Sequence, residues 1–190
     1  MANPAKDLRI CLWNATSINN KSLEFSYFLN KHDIDIAIVT ETWLDPTKDI
    51  GFVDYNIVRC DSPRTSHVGG VLIAIRRSIR YYLLPDLDIA DTDIIMIKLL
   101  SGLDITLAAV YISPSVDFSF GSLDQIFNKY NRVVIGGDFN AQHTLWNNFC
   151  NSGRGVKLLH YLNSRNLFIL HSDTFSHRAP KKILQTLISF

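Results

Sequence analysis

The chain has 190 residues, 47% of them hydrophobic and 19% charged, with a formal net charge of +1. That length suits one domain with a sizeable core, and that composition excludes intrinsic disorder and low-complexity sequence. The apolar runs are too short to span a bilayer and the opening residues carry no signal-like stretch, so the sequence predicts neither a membrane partner nor secretion.

The first strand is predicted over residues 8–13. Residues 22–32 read as a helix with Ser22 as N-cap, Glu24 in the first turn, and Leu23, Phe28 and Leu29 close to one face. Residues 34–40 form a nearly continuous apolar run rich in β-branched side chains, the pattern of a strand buried on both faces. Strands follow over 55–60, 69–76, 79–84, 94–99 and 105–111. A helix over 122–130 puts Leu123, Ile126, Phe127 and Tyr130 at i, i+3, i+4 and i+7. A strand over 132–136, a helix over 155–165 and a strand over 167–170 complete the series. Short turns at 77–78 and Gly102 suggest antiparallel pairing of the strands they join. This order predicts a single domain of mixed α/β (α+β) class, with two packed sheets and helices outside them.

Cys11, Cys60 and Cys150 are odd in number and widely spaced, which favours free thiols over a disulfide framework or a zinc–thiolate site. The charge is uneven: residues 151–190 carry net +5 and residues 1–150 net −4. A basic end hints at an anionic partner, and a solvated surface explains it equally well.

Polar side chains gather where strands are predicted to end. Asn14 closes the first, Glu41 the second, Tyr111 a third, and Asp138 with Asn140 a fourth. Strand ends are where a rigid core delivers side chains to a shared rim. Glu41 is a hard oxygen ligand suited to Mg²⁺, which takes one or two carboxylates and keeps waters and substrate phosphate. Asp138 can orient or deprotonate an attacking water. Asn14 and Asn140 can hold a phosphate oxygen without adding charge, and Tyr111 can donate to one as charge builds. Each residue has an ordinary alternative: a solvated acid for Glu41, a turn for Gly136–Asn140, a half-buried aromatic for Tyr111, packing for His143 and Trp146, a bulge or tight turn for Gly69-Gly70. Their joint occurrence in this order does not.

The motifs Leu12-Trp13-Asn14, Val39-Thr40-Glu41-Thr42-Trp43-Leu44, Gly69-Gly70-Val71, Val110-Tyr111-Ile112-Ser113-Pro114 and Gly136-Gly137-Asp138-Phe139-Asn140-Ala141 occur in order. With them the chain resembles the endonuclease/exonuclease/phosphatase family, and within it the apurinic-like endonuclease domain of non-LTR retrotransposons. Residues 142–146 and 151–155 look like the jockey and R1 kind. The resemblance spans residues 7–172. It implies a four-layer, DNase I-like sandwich of two mixed sheets flanked by helices. It implies Mg²⁺- or Mn²⁺-dependent nicking of DNA to leave a 3′-hydroxyl primer, an associated reverse transcriptase, and a nuclear location with a cytoplasmic one left open. It implies Glu41 as metal ligand with Asn14 beside it, Tyr111 at the scissile phosphate, Asp138 at the attacking water and Asn140 orienting the phosphate. His143 and Arg154 are candidate nucleic-acid contacts, and the basic Lys157, Arg178, Lys181 and Lys182 could contact phosphates non-specifically. Thr16 stands where apurinic enzymes carry an Asp.

The family pattern closes with Ser-Asp-His, and no Asp-His pair follows Asn166. The expectation is a domain lacking its C-terminal strands, weak or inactive as a nuclease. A nucleic-acid-binding remnant and another phosphodiesterase or phosphatase of the same superfamily are the alternatives.

Overall fold

The computed structural model describes residues 8–63, 68–100 and 104–170, and the backbone of 185–189. The strands are β1 (Ile10–Asn14), β2 (Ile36–Thr40), β3 (Tyr55–Cys60), β4 (Val71–Arg76), β5 (Tyr81–Leu83), β6 (Thr92–Leu99), β7 (Thr106–Ile112), β8 (Val133–Asp138), β9 (Phe168–Leu170) and β10 (Gln185–Ser189). The helices are α1 (Ser22–Lys31), α2 (Asp124–Phe127) and α3 (Gly153–Arg165).

One sheet has the order β1-β2-β4-β3 and the other β5-β6-β7-β8-β10-β9. Both are mixed: β1 runs parallel to β2 and β7 parallel to β8, while the remaining pairs are antiparallel. Side chains alternate cleanly between layers, as the two-residue period of a strand requires. Ile36 and Ile38 of β2 meet Leu107, Ala109 and Tyr111 of β7 between the sheets, whereas Ala37 and Val39 pack with Phe25 and Leu29 of α1. Ala108, Val110 and Ile112 of β7 pack on the other side with Leu158 and Leu162 of α3. Helix, sheet, sheet and helix therefore form four layers, the architecture that the resemblance implied. The continuous apolar run of β2 reflects burial on both faces. Among the described residues, no helix is long and apolar enough to cross a membrane.

Local differences from the sequence reading have physical causes. Ser22 is the first helical residue of α1, and the cap position falls on Lys21 with no side-chain cap bond. The buried face is Phe25, Ser26 and Leu29, while Leu23 is 87% exposed. Nearly every face of this helix carries a large apolar residue, so the sheet beneath decides which is covered. The helix over 122–130 resolves into a 3₁₀ turn, Phe120–Leu123, running into the single turn of α2. The turn at 77–78 carries the chain from the first sheet to the second rather than closing a hairpin. β6 and β7 do pair antiparallel, and the Gly102 turn between them lies outside the described residues.

The sheets approach closely beneath the C-terminal end of β8. A Cβ on Gly136 would lie 2.6 Å from Ile38 Cδ1 and 2.8 Å from Leu12 Cδ1, both on the facing sheet. Glycine here sets the spacing at the rim where the polar residues converge.

Candidate active site

Asn14 ends β1 and Thr40, its register partner, ends β2. Glu41 follows immediately and turns into the left-handed region, with φ 52°. In the other sheet, Tyr111 of β7 stands in register between Asp93 of β6 and Asp138 of β8. Directly paired residues project to the same face, so the three form one row facing the first sheet.

The two rims meet through Asn14. Its Nδ2 donates to Glu41 Oε1 at 2.9 Å and to Asp138 Oδ2 at 2.9 Å. Its Oδ1 accepts from the Thr16 amide at 3.1 Å and the Thr16 hydroxyl at 3.2 Å. Thr16, at the position of the apurinic enzymes' Asp, thus fixes which way the amide points. The reverse orientation would aim an oxygen at two carboxylates. In this disposition the Asn14 N–H faces the Glu41 carboxylate and orients it.

Glu41 is 2% exposed and Asp138 fully buried. Burial raises the Asp138 carboxyl from 3.8 to about 6, against the opposing pull of hydrogen bonds from the Asn140 amide and Asn14 and the positive charge of Arg154. The Asn140 amide donates to Asp138 Oδ1 at 2.9 Å, and its Nδ2 to the Ile112 carbonyl at 2.9 Å. Asn140 therefore ties the end of β8 to the end of β7, itself held at φ 48°.

His143 and Arg154 make their described contacts within the chain. His143 is 7% exposed, and its Nδ1 accepts from the Leu145 amide at 3.1 Å, capping a 3₁₀ turn over Thr144–Trp146. Arg154 donates to the carbonyls of Phe139 at 3.2 Å, Pro114 at 3.4 Å and Val116. It clamps the loop after β7 to the loop after β8. Burial lowers its guanidinium from its usual value, opposed by Asp117, Asp138 and Tyr111. Arg178, Lys181 and Lys182 lie outside the described residues.

The donor set fits a cation that takes few protein ligands. Two buried carboxylates share one neutral amide, and Glu41 offers the hard oxygen that Mg²⁺ or Mn²⁺ takes alongside water and phosphate. Among the described residues, no group of three His, Cys, Asp or Glu is placed to cage a metal. Sequence reasoning missed Asp93 and the role of Thr16. Asp93 stood one residue before the predicted strand, and a lone acid at a strand mouth carries no signal by itself.

The endonuclease–reverse transcriptase family model matches residues 105–188. A probable RNA-directed DNA polymerase from transposon BS of Drosophila melanogaster is 32% identical over 168 residues, 86% of this chain and 18% of that protein. The polymerase of mobile element jockey from the same fly is 30% identical over 80% of this chain and 17% of its own length. The endonuclease domain of TRAS1, a telomere-specific non-LTR retrotransposon, superposes with a TM-score of 0.71 at 18% identity, covering 96% of this chain and 85% of that one. These likenesses are to the endonuclease/exonuclease/phosphatase family. Within the family the chain's likeness is to the endonuclease domains of non-LTR retrotransposons. An AP endonuclease from Leishmania major shares the fold, with a TM-score of 0.68 at 11% identity, covering 99% of this chain and 80% of that one. The chain spans less than a fifth of the length of the curated relatives it matches.

Proposed function

We propose that this domain hydrolyses a DNA phosphodiester with the help of a divalent cation, leaving a 3′-hydroxyl that primes an associated reverse transcriptase. The observation that carries the reading is the Asn14 amide held between Glu41 and Asp138, one carboxylate from each sheet. The two acids are poised for different work by their surroundings. Glu41 would hold Mg²⁺ or Mn²⁺, which when bound would neutralise charge on the phosphate. Asp138 accepts the proton of the attacking water, and its raised value of about 6 suits a base that works near neutrality. Tyr111, beside Asp138 in register, donates to a phosphate oxygen, and Asn140 orients the phosphate from the neighbouring loop.

Nicking of supercoiled plasmid in Mg²⁺, with extension of the nick by a polymerase, tests the reading. Nicked circles that prime synthesis are expected, with Glu41→Gln and Asp138→Asn lowering the rate at least 100-fold, the range of a lost acid–base group. Nicking that survives both substitutions would defeat it. Cleavage of phosphomonoesters in preference to DNA would point to a phosphatase, and DNA binding without cleavage to a remnant.

A further inference from the structure

Glu41 sits in a strained segment. Glu41 and Trp43 adopt φ 52° and 51°, in the left-handed region that disfavours side chains of their size. Such a conformation persists only where neighbours over-determine it. On one side the carbonyls of Thr40, Glu41 and Thr42 accept from the amides of Ala15, Ser17 and Ile18 at 2.9–3.0 Å. On the other, the Trp43 amide donates to the Gly69 carbonyl at 3.0 Å and the Thr42 amide, more weakly, to the Gly70 carbonyl at 3.4 Å. The glycines are required here. Both have positive φ, 120° and 80°, and a Cβ on Gly70 would stand 2.5 Å from Thr42 Oγ1.

The glycine pair is itself anchored from the opposite sheet. The Gly70 amide donates to Asp93 Oδ2 at 2.8 Å, in a buried charge-assisted bond. Asp93 is 2% exposed and lies in register with Tyr111, on the side away from Asp138. Two cross-sheet bonds therefore bracket Tyr111: Asn14 to Asp138 and Gly70 to Asp93. The first aligns the Glu41 carboxylate. The second fixes the backbone from which that carboxylate projects.

We propose that Asp93 is a positioning residue for Glu41, acting through Gly70 and the Thr42–Trp43 backbone to preset the cation site. The proposal rests on the reading of Glu41 as the cation ligand. Asp93 is assigned no contact with phosphate or cation, so its effect falls on cation affinity and on local order, not on the proton transfer at Asp138.

Calorimetric titration of the whole chain with Mg²⁺ tests it, alongside amide hydrogen exchange without metal. Asp93→Ala is expected to weaken Mg²⁺ binding roughly tenfold or more, as loss of an outer partner of a metal ligand does. It is also expected to speed exchange at Thr42 and Trp43 while β7 and β8 stay protected. Asp93→Asn keeps an oxygen for the Gly70 amide and is expected to restore both. Asp93→Val, which suits a buried strand, serves if the alanine variant does not fold. A folded Asp93→Ala or Asp93→Val chain with native Mg²⁺ affinity and native exchange would overturn the proposal. Native Mg²⁺ affinity in Glu41→Gln would overturn the reading of Glu41, and the proposal with it. Loss in Glu41→Gln with no loss at Asp93 would overturn the proposal alone.

Discussion

Asn14 Nδ2 stands 2.9 Å from Asp138 Oδ2, joining two sheets across 124 residues of sequence. The same nitrogen reaches Glu41, so a single neutral side chain spaces two buried acids. Removing it leaves Asp138 buried with one less donor. A hydrogen bond to a charged group contributes about 1.5–3 kcal/mol, which corresponds to roughly one or two pKa units. Asn14→Ala is therefore expected to move the acidic limb of the pH–rate profile up from its midpoint near 6, as well as to slow the reaction. An unmoved limb in a folded, slowed variant would separate Asn14 from the state of Asp138.

The same carboxyl couples stability to pH. Burial raises Asp138 from 3.8 to about 6, so between those values the folded chain keeps a proton that the unfolded chain has released. Stability from this group is greatest below about pH 4 and is lost as pH rises through about 6. At neutral pH the ionised group costs roughly 3 kcal/mol, at about 1.4 kcal/mol per unit. Urea unfolding of the native chain and Asp138→Asn should show the native-minus-variant stability falling by about that amount from acid to neutral pH. A difference that stays flat across the range would contradict it.

The strand pattern was readable because alternation and burial on two faces leave a strong trace. β3 has the very bounds that its apolar alternation indicates, and β2 needed only trimming at one end. α1 was placed correctly but turned wrongly, because Leu23, Phe25, Phe28 and Leu29 compete for one covered face and only the packed sheet selects between them. β10, which pairs antiparallel with both β8 and β9, was not predicted as a strand. The site residues stood out as polar side chains at strand ends. Their geometry did not, since Asn14 and Asp138 lie on different sheets and sequence spacing says nothing of how sheets face each other. At His143 and Arg154 the sequence does not convey that a buried imidazole caps a turn, or that a guanidinium donates to three carbonyls.

Those bonds make Arg154 testable. An Arg that contacts a DNA phosphate lowers the log–log salt slope of binding by roughly one when removed. Arg154→Ala is expected to leave the slope unchanged and to lower unfolding stability by about 2 kcal/mol, because three carbonyls lose their donor. It should also raise the Asp138 pKa, since Arg154 is among the charges that hold it down. Arg154→Lys is expected to recover little, because an ammonium cannot reproduce a planar fork across three acceptors. A salt titration of DNA binding beside urea unfolding reads both effects, and a slope reduced by one would return Arg154 to the DNA surface.

The position of Arg154 depends in turn on its neighbour. Gly155 lies in the first turn of α3, capped by Ser152 Oγ, which accepts from the Gly155 amide at 3.0 Å and from the Gln142 amide at 3.0 Å. A Cβ on Gly155 would fall 1.8 Å from the Gln142 carbonyl oxygen, whereas on Gly153 it would meet nothing within 4 Å. Replacing glycine by alanine in an open helix stabilises by up to about 1 kcal/mol. Gly153→Ala should follow that rule or be neutral. Gly155→Ala should reverse it, destabilising by roughly 2–3 kcal/mol as backbone is forced apart, and should pull Arg154 from the Phe139 carbonyl between Asp138 and Asn140. Thermal unfolding of the pair measures the reversal. Equal and small effects at both glycines would mean that α3 shifts freely, and that the loop following Asp138 is not held by it.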